Sequence, residues 1–115
     1  ILQQKKIELH VRSVFLQGLL LMDEEKLPKQ FGRWLSIWQK LSAFEKKFGV
    51  EKIVAALAYP LSFSCIECII VGANTPHQLQ QIISASKQAS WQSRVVEQLG
   101  DLMSFDRDLI DPFRW

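Results

Sequence analysis

The sequence has little of several features that would mark a specialised class of protein. It holds two cysteines, one tyrosine and two histidines among 115 residues. Its 14 basic and 12 acidic residues are mixed along the chain, so no basic block indicates a nucleic-acid or membrane-surface partner. The longest apolar stretches, such as Val14 to Met22, fall short of the roughly 20 residues that cross a bilayer. With 48% hydrophobic residues, the composition is that of a globular protein with one core.

The two cysteines, Cys65 and Cys68, have a spacing that metal sites and redox sites share. A structural zinc site usually needs four ligands, and the sequence offers no second cysteine pair and only two isolated histidines, His10 and His77. The other interpretation is two small buried side chains at the entrance to an apolar strand. We expect this second interpretation, no bound metal, and a reducing cytoplasmic location.

Two segments share one pattern, a buried strand that runs into a turn containing glycine. The first covers Val11 to Leu21 and the second covers Ile69 to Leu79. The strands themselves are predicted near Ile7–Phe15 and Ile66–Val71, as parallel neighbours. The second strand is almost wholly apolar, which predicts burial on both of its faces. Two such units separated by helical sequence are typical of a βαβα protein, which binds ligands at the carboxyl ends of its strands.

Helical periodicity fills the sequence between the two strands. Apolar residues recur at helical spacing from Gln30 to Phe48, and Gly49 stands where a helix end favours glycine. A second helix is predicted from Glu51 to about Tyr59, with Pro60 marking its end because an interior proline removes a hydrogen bond. Both helices are expected to cover a sheet.

A strong helix start follows the second strand. Thr75 can cap the helix, Pro76 fits its first position and Gln78 completes a capping box. This helix is expected to fade near Ser86, and another amphipathic stretch is predicted from Trp91 to Met103. Leu79, Ile82 and Ile83 are expected to face inward from the first helix, and the second stretch carries Val95, Leu99 and Leu102.

The turn at Gly72 has a physical use in binding. Glycine permits close backbone approach, and the helix behind it begins with free N–H groups and the positive end of a dipole. A phosphate would be stabilised there without any catalytic side chain. A purely structural interpretation stays open, because any strand-to-helix turn favours glycine and a threonine cap. The same holds for the turn from Ser13 to Gly18.

The order and spacing of the two units resemble the last two strand–turn elements of the aldo/keto reductases. In that family strand seven typically ends in Tyr-Ser-Pro-Leu-x-x-Gly-x-Leu, and residues 12–20 read Arg-Ser-Val-Phe-Leu-Gln-Gly-Leu-Leu in register. Strand eight ends in Gly-Ala-Ser/Asn-x-x-x-Gln-Leu, and residues 72–79 match this pattern. The resemblance covers residues 7–84 well. It implies an α/β fold, the C-terminal part of a TIM (β/α)8 barrel, in which residues 1–115 are an incomplete domain. The first residue is Ile1 and not Met, and we expect an internal start.

The resemblance also implies a function. The chain would be the cofactor-binding part of a cytoplasmic oxidoreductase that uses NADP or NAD to reduce a small carbonyl substrate. Ser13, Phe15 and Gly18 would lie along the pyrophosphate and ribose, and Arg12 stands where the family usually stacks an aromatic ring on the nicotinamide. The residues implied to bind cofactor are Arg12, Ser13, Phe15, Gly18, Gly72, Ala73, Asn74 and Gln78, the last four around the adenosine end.

Departures from the family pattern leave alternatives open. Gln78 stands where NADP-preferring members carry an arginine for the 2′-phosphate, so the choice between NADP and NAD is open. Ile82 stands where an asparagine often contacts adenine. The catalytic tetrad of Asp, Tyr, Lys and His comes from earlier strands, and Tyr59 lies in a predicted helix, so no catalytic residue is expected here. The alternative is a non-catalytic nucleotide-binding or interaction module derived from the same barrel.

Overall fold

The fold is mixed α/β, built around a two-stranded parallel sheet. The computed structural model describes residues 1–2, 4–89, 97–102 and 104–115, with the backbone alone for residues 101 and 102. Strand β1 spans Leu9–Arg12 and strand β2 spans Ile66–Ile70, with Arg12 aligned to Ile70. The prediction of parallel neighbours is confirmed. β1 is shorter than predicted because the backbone leaves the extended region at Ser13, where φ is 61°.

The helices lie close to where the apolar periodicity predicts them. Helix α1 spans Leu35–Phe48 and ends at Gly49, whose φ of 65° is left-handed as predicted for a C-terminal glycine. Helix α2 spans Lys52–Leu61 and helix α3 spans Pro76–Ala89. No helix among the described residues has the length and apolar character needed to cross a membrane.

Three boundaries differ from the predictions. Residues Lys29–Trp34 form 3-10 turns before α1 begins. Pro60 lies inside the last turn of α2, because the Ser62 N–H donates to the Ala58 carbonyl at 3.0 Å and carries the helix past the proline. Helix α3 continues beyond Ser86 to Ala89, since buried alanines there keep it packed against the core. Most of the amphipathic stretch predicted from Trp91 to Met103 lies outside the described residues, but residues 97–102 form a 3-10 turn.

The main core lies between the helices and one face of the sheet. Ile69 and Val71 pack against it from β2 and the residue after it, and Val14 and Phe15 pack against it from the turn after β1. The helices contribute most of its apolar side chains, which are removed from water and so stabilise this layered arrangement. Its buried residues are Leu41, Phe44, Val50, Val54, Ala55, Leu57, Ala58, Ala85, Ala89 and Leu99.

The opposite face of the sheet is exposed in the described part of the chain. His10, Arg12 and Cys68 are exposed, and Ile70 retains 53% of its accessible surface. The expectation that β2 is buried on both faces is therefore wrong. The expectation of two buried cysteines is wrong as well, since Cys68 is exposed and Cys65 is only half-buried. An apolar run predicts burial, but only the number of packed layers decides how many faces are covered.

Helix α3 buries one of the three residues expected to face inward, Ile82, and leaves the other two exposed. Ile82, Ala85 and Ala89 are buried, whereas Leu79 is 49% exposed and Ile83 is 47% exposed. The buried residues recur every three or four positions, so they form one face of the helix. Leu79 and Ile83 lie off this buried face and are therefore partly exposed.

The sheet leads to a prediction about the chain on its own. Within the described residues, β1 and β2 pair only with each other, so each strand has a free edge and one open face. Free edges pair readily with other chains, and two strands make a marginal sheet. We expect the isolated 115-residue chain to self-associate and to unfold over a broad temperature range. Light scattering and calorimetry test this; a monomer with one sharp cooperative transition would contradict it.

Candidate functional site

The candidate site is a cleft at the carboxyl ends of β1 and β2. It encloses about 730 Å³ between the turn after β1 and the turn that leads from β2 into α3. Parallel α/β sheets bind ligands at this end of their strands. Ala73 lies exposed in the second turn but does not line the cleft. The other seven residues implied by the resemblance all line it, namely Arg12, Ser13, Phe15, Gly18, Gly72, Asn74 and Gln78.

One wall of the cleft is the turn over residues 13–18, which has an unusual backbone. Ser13, Leu16 and Gln17 have positive φ values of 61°, 49° and 58°, and Gly18 has one of 82°. Residues with a Cβ rarely adopt this left-handed region, so the first three residues are strained, and only the glycine adopts it without strain. Such strain persists where the surrounding structure over-determines the backbone, and it is concentrated at functional sites.

Short-range hydrogen bonds hold this turn from within. The Leu16 N–H donates to the Ser13 carbonyl at 2.9 Å, and the Leu20 N–H donates to the Phe15 carbonyl at 3.2 Å. The half-buried Phe15 side chain packs against the main core, while Leu19 is buried in a second cluster. The turn is therefore anchored on both sides, and its backbone curls between the two anchors.

The other wall is the start of α3, where the predicted cap forms. The Gln78 N–H donates to Thr75 Oγ1 at 3.1 Å. The Gln78 side chain reaches one residue further than an ordinary capping box, since its Oε1 accepts the Asn74 N–H at 2.8 Å. The carboxamide oxygen of Gln78 is thus engaged in the fold. Its NH₂ group is the part of the side chain that can donate to a ligand.

Glycine at position 72 leaves open space beside the second turn, and the backbone conformation there does not require it. Its φ lies outside the left-handed region, and a Cβ placed on it would meet nothing within 4 Å. Because the residue lines the cleft, that open space belongs to the cleft itself. A larger side chain at this position would therefore fill the cleft without straining the fold.

The polar groups of the cleft are nearly all uncharged. Arg12 is the one charged residue in the described lining, and it is exposed at the end of β1. The remaining polar lining consists of the Ser13 hydroxyl and four carboxamides. Carboxamides both donate and accept hydrogen bonds, so the cleft suits ligands with hydroxyl groups and heterocyclic nitrogen atoms. The four carboxamides belong to Gln17, Asn74, Gln78 and Gln81.

Sequence reasoning missed several residues of the lining. Gln81 follows Gln78 by three positions and so lies on the same side of α3, a signal available in the sequence. Ile82, predicted to face inward, is 8% exposed and lines the cleft, so it forms part of the apolar floor. Gln17, Met22 and Ile53 also line the cleft, but they come together only through the folded turn and α2.

A second cavity lies beneath the sheet and is a weaker candidate. It holds about 420 Å³ between β1, α1 and α2, and its lining is mostly apolar. The lone tyrosine, Tyr59, lines this cavity and packs edge-on against Phe63 with ring centres 5.3 Å apart. Because polar groups from two turns converge on the larger cleft, that cleft is the better site for a polar ligand.

Among the described residues, no histidine or cysteine lines the cleft. His10 Nε2 and Glu8 Oε1 are 2.7 Å apart on the exposed side of β1. Cys65 and Cys68 do not line the cleft, and the described residues contain no cluster of histidine, cysteine and carboxylate side chains that could hold a metal ion. The arrangement can bind and orient a ligand, and its lining supplies hydrogen-bond donors and acceptors.

Comparison with known proteins adds no relative. No protein-family model, no curated protein and no solved structure matches this chain. The case for a function therefore depends on the cleft and on the two sequence motifs that form its walls.

Proposed function

We propose that this chain is the cofactor-binding part of an NAD(P)H-dependent aldo/keto reductase, a cytoplasmic enzyme that reduces a small carbonyl substrate. In this proposal the two strands are the last two of a (β/α)8 barrel. The support comes from the motifs at residues 12–20 and 72–79, and from the parallel pairing of the strands that carry them.

The observation that carries the proposal is the convergence of the two motifs on one cleft. Seven of the eight residues implied by the resemblance line it, although the motifs are far apart in sequence. In parallel strands the residues after each strand meet at the same end of the sheet. A volume of about 730 Å³ lies within the range of small-molecule and cofactor sites, which is roughly 300–1,000 Å³.

The residues of the cleft suggest how a dinucleotide would be held. Ser13 and the backbone near Gly18 would bind the pyrophosphate and adjoining ribose. Gly72 would admit the adenosine end close to the backbone, and Asn74 and Gln78 would hydrogen-bond it. The N-terminus of α3 adds a positive dipole end beside Gly72, which favours a phosphate.

The chemistry of such an enzyme is divided between the cofactor and the protein. A bound nicotinamide supplies the hydride. The residues of this chain bind and orient the cofactor, and the Arg12 guanidinium, at the end of β1, is placed to pack on a flat ring or to pair with a phosphate. In this proposal the acid that protonates the carbonyl oxygen comes from outside these residues, because none of the described cleft residues is a tyrosine, lysine or histidine.

A second candidate function is a nucleotide-binding or interaction module without catalysis. This candidate is favoured because no residues of this sequence match the catalytic tetrad of the reductases. A nucleotide-binding module predicts cofactor binding without turnover, and a pure interaction module predicts neither binding nor turnover.

Titration of the intact protein that carries these residues tests the proposal. NADPH, NADH and adenosine 2′,5′-bisphosphate are added while tryptophan fluorescence is followed. We expect saturable binding of at least one dinucleotide, and Gln78→Ala is expected to weaken it. Gln80→Ala is the matched control, since Gln80 is exposed on α3 but does not line the cleft.

The outcomes separate the candidates. No saturable binding by any of the three compounds would overturn the proposal. Binding together with carbonyl-dependent oxidation of NADPH supports the reductase. Binding without turnover for a broad panel of aldehydes and ketones supports the non-catalytic module.

A further inference from the structure

A second buried cluster lies directly behind the turn over residues 13–18. This terminal cluster consists of Leu19, Phe31, Trp38 and Leu109, which are between 1% and 5% exposed. Leu19 immediately follows the turn, and Leu109 belongs to a short helix α4, Arg107–Ile110. The cluster therefore joins a wall of the cleft to the last part of the chain, residues 104–115, called here the terminal segment.

Trp38 makes the direct connection to the turn. It is the most completely buried large side chain of the described residues, and its Nε1–H donates to the Leu19 carbonyl at 3.1 Å. Trp38 does not line the cleft. Its hydrogen bond to Leu19, the residue just after the turn, is therefore structural support and not part of the ligand surface.

The terminal segment is bound to the same region by aromatic and polar contacts. The Trp115 ring packs edge-on against Phe31 with centroids 5.0 Å apart, and Trp115 Nε1–H donates to the Leu109 carbonyl at 3.1 Å. Trp34 Nε1–H donates to Asp106 Oδ2 at 3.0 Å. Phe31 and Trp34 both precede α1. Phe31 contacts the end of the terminal segment through Trp115, and Trp34 contacts its beginning through Asp106.

Asp108 is the polar centre of this attachment. Arg33 donates to Asp108 Oδ2 at 2.9 Å, and Arg114 Nε–H donates to Asp108 Oδ1 at 2.6 Å. The hydrogen bonds from these two guanidinium groups hold the pKa of Asp108 below its ordinary value, because they stabilise the carboxylate. The ion pair links the terminal segment to the chain that leads into α1.

The strained turn over residues 13–18 needs support from the surrounding structure, and the contacts of Trp38 and the terminal segment supply it. Three of its residues have a left-handed backbone although they are not glycine, a conformation that relaxes unless the surroundings enforce it. Leu19, the first residue after the turn, accepts the Trp38 hydrogen bond and is buried in the same cluster as Leu109.

We infer that Trp38 and the terminal segment form a clamp that holds the turn over residues 13–18 in its binding conformation, so that release of the segment lowers dinucleotide affinity. The inference rests on the proposed function, since it concerns regulation of the same site. Trp38 is a positioning residue in this scheme. The terminal segment is the part that a partner or a change in conditions can detach, because Asp108 and Arg33 are partly exposed.

Two substitutions in the intact protein test the clamp. Trp38→Phe removes the Nε1–H donor but keeps an aromatic ring, and Asp108→Asn removes the ion pair at the surface with little change in shape. We expect faster amide hydrogen exchange at Leu19–Met22, whose N–H groups donate to carbonyls of the turn or, for Met22, to the Leu19 carbonyl just after it. We also expect the dissociation constant for the bound dinucleotide to rise about fivefold, the scale of one lost hydrogen bond.

Phe48→Leu is the control variant. Phe48 lies ten residues beyond Trp38 on the same helix, about 15 Å away, and it packs on Phe44. It should lower stability without changing exchange at Leu19–Met22 or dinucleotide affinity. That result excludes general loosening as the cause of the other two effects.

The outcomes distinguish this inference from the proposed function. Unchanged exchange and unchanged affinity in both test variants overturn the clamp while leaving the cofactor site intact. A change with Trp38→Phe alone overturns the part assigned to the terminal segment. If the unsubstituted protein binds no dinucleotide, the proposed function fails, and faster exchange in both variants still supports the mechanical connection.

Discussion

Replacing Gly72 by valine is expected to weaken dinucleotide binding by at least about tenfold, or roughly 1.4 kcal/mol, with the fold unchanged. Gly72 lines the cleft, and a Cβ there would contact no protein atom within 4 Å. Its φ is not left-handed, so valine fits the backbone. The branched side chain therefore occupies space that the proposed ligand needs. Titration with NADPH and NADH measures the loss, and thermal unfolding checks the fold.

Gly32→Val is the matched control for this substitution. Gly32 is exposed in the 3-10 turns before α1, a Cβ there also meets open space, and the residue does not line the cleft. It makes the same chemical change on the surface. Equal affinities in the Gly72→Val variant and the unsubstituted protein would mean that the turn at Gly72 is structural and that the site is assigned wrongly.

Replacing Gln78 by arginine is expected to shift cofactor preference toward NADP by about 1–3 kcal/mol, the usual scale for hydrogen bonds to a charged group. Gln78 lines the cleft one turn into α3, and the only charged group of the described lining is Arg12. A guanidinium at position 78 adds a planar donor fork that matches a 2′-phosphate and finds no such partner on NAD.

The same substitution carries a structural cost that can be measured separately. Gln78 Oε1 accepts the Asn74 N–H, and arginine has no acceptor to replace it. Loss of this capping bond should lower the free energy of unfolding by about 1 kcal/mol. Gln80→Arg, which adds the same charge outside the cleft, should leave the ratio of the two affinities unchanged. A ratio that does not move in the Gln78→Arg variant would refute the assignment of the adenosine end.

Local signals in the sequence predicted the parts of the fold that local chemistry controls. Thr75 caps α3 through its hydroxyl, and Gly49 ends α1 with a left-handed backbone. Both depend on groups within four residues, so neither needs the rest of the molecule. The parallel pairing of the strands was also predictable, because a helical connection of this length brings one strand back beside the other in the same direction.

The candidate site was predictable in part for the same reason. Residues that follow two parallel neighbours meet at one end of the sheet, so the motifs at residues 12–20 and 72–79 come together. Their binding roles stay predictions. The strained turn was not predictable, because nothing in the types of Leu16 and Gln17 indicates a left-handed backbone. The contacts around the turn are not local either, since the Trp38 Nε1–H that donates to the Leu19 carbonyl, just after the turn, lies 19 residues along the chain.

The sequence by itself indicated the two strands and the three longer helices, where α3 begins, and that the strands pair in parallel. Only the tertiary structure decided which apolar side chains are covered. Ile82 is buried and Leu79 exposed on one helix, and Ile70 is exposed in a strand that reads as buried on both faces. The reason is physical, because hydrophobic periodicity reports only the preference of a residue for burial. Burial itself needs a second surface to pack against. In this fold the position of that surface is set by the alanines of α3 and by the single layer of helices.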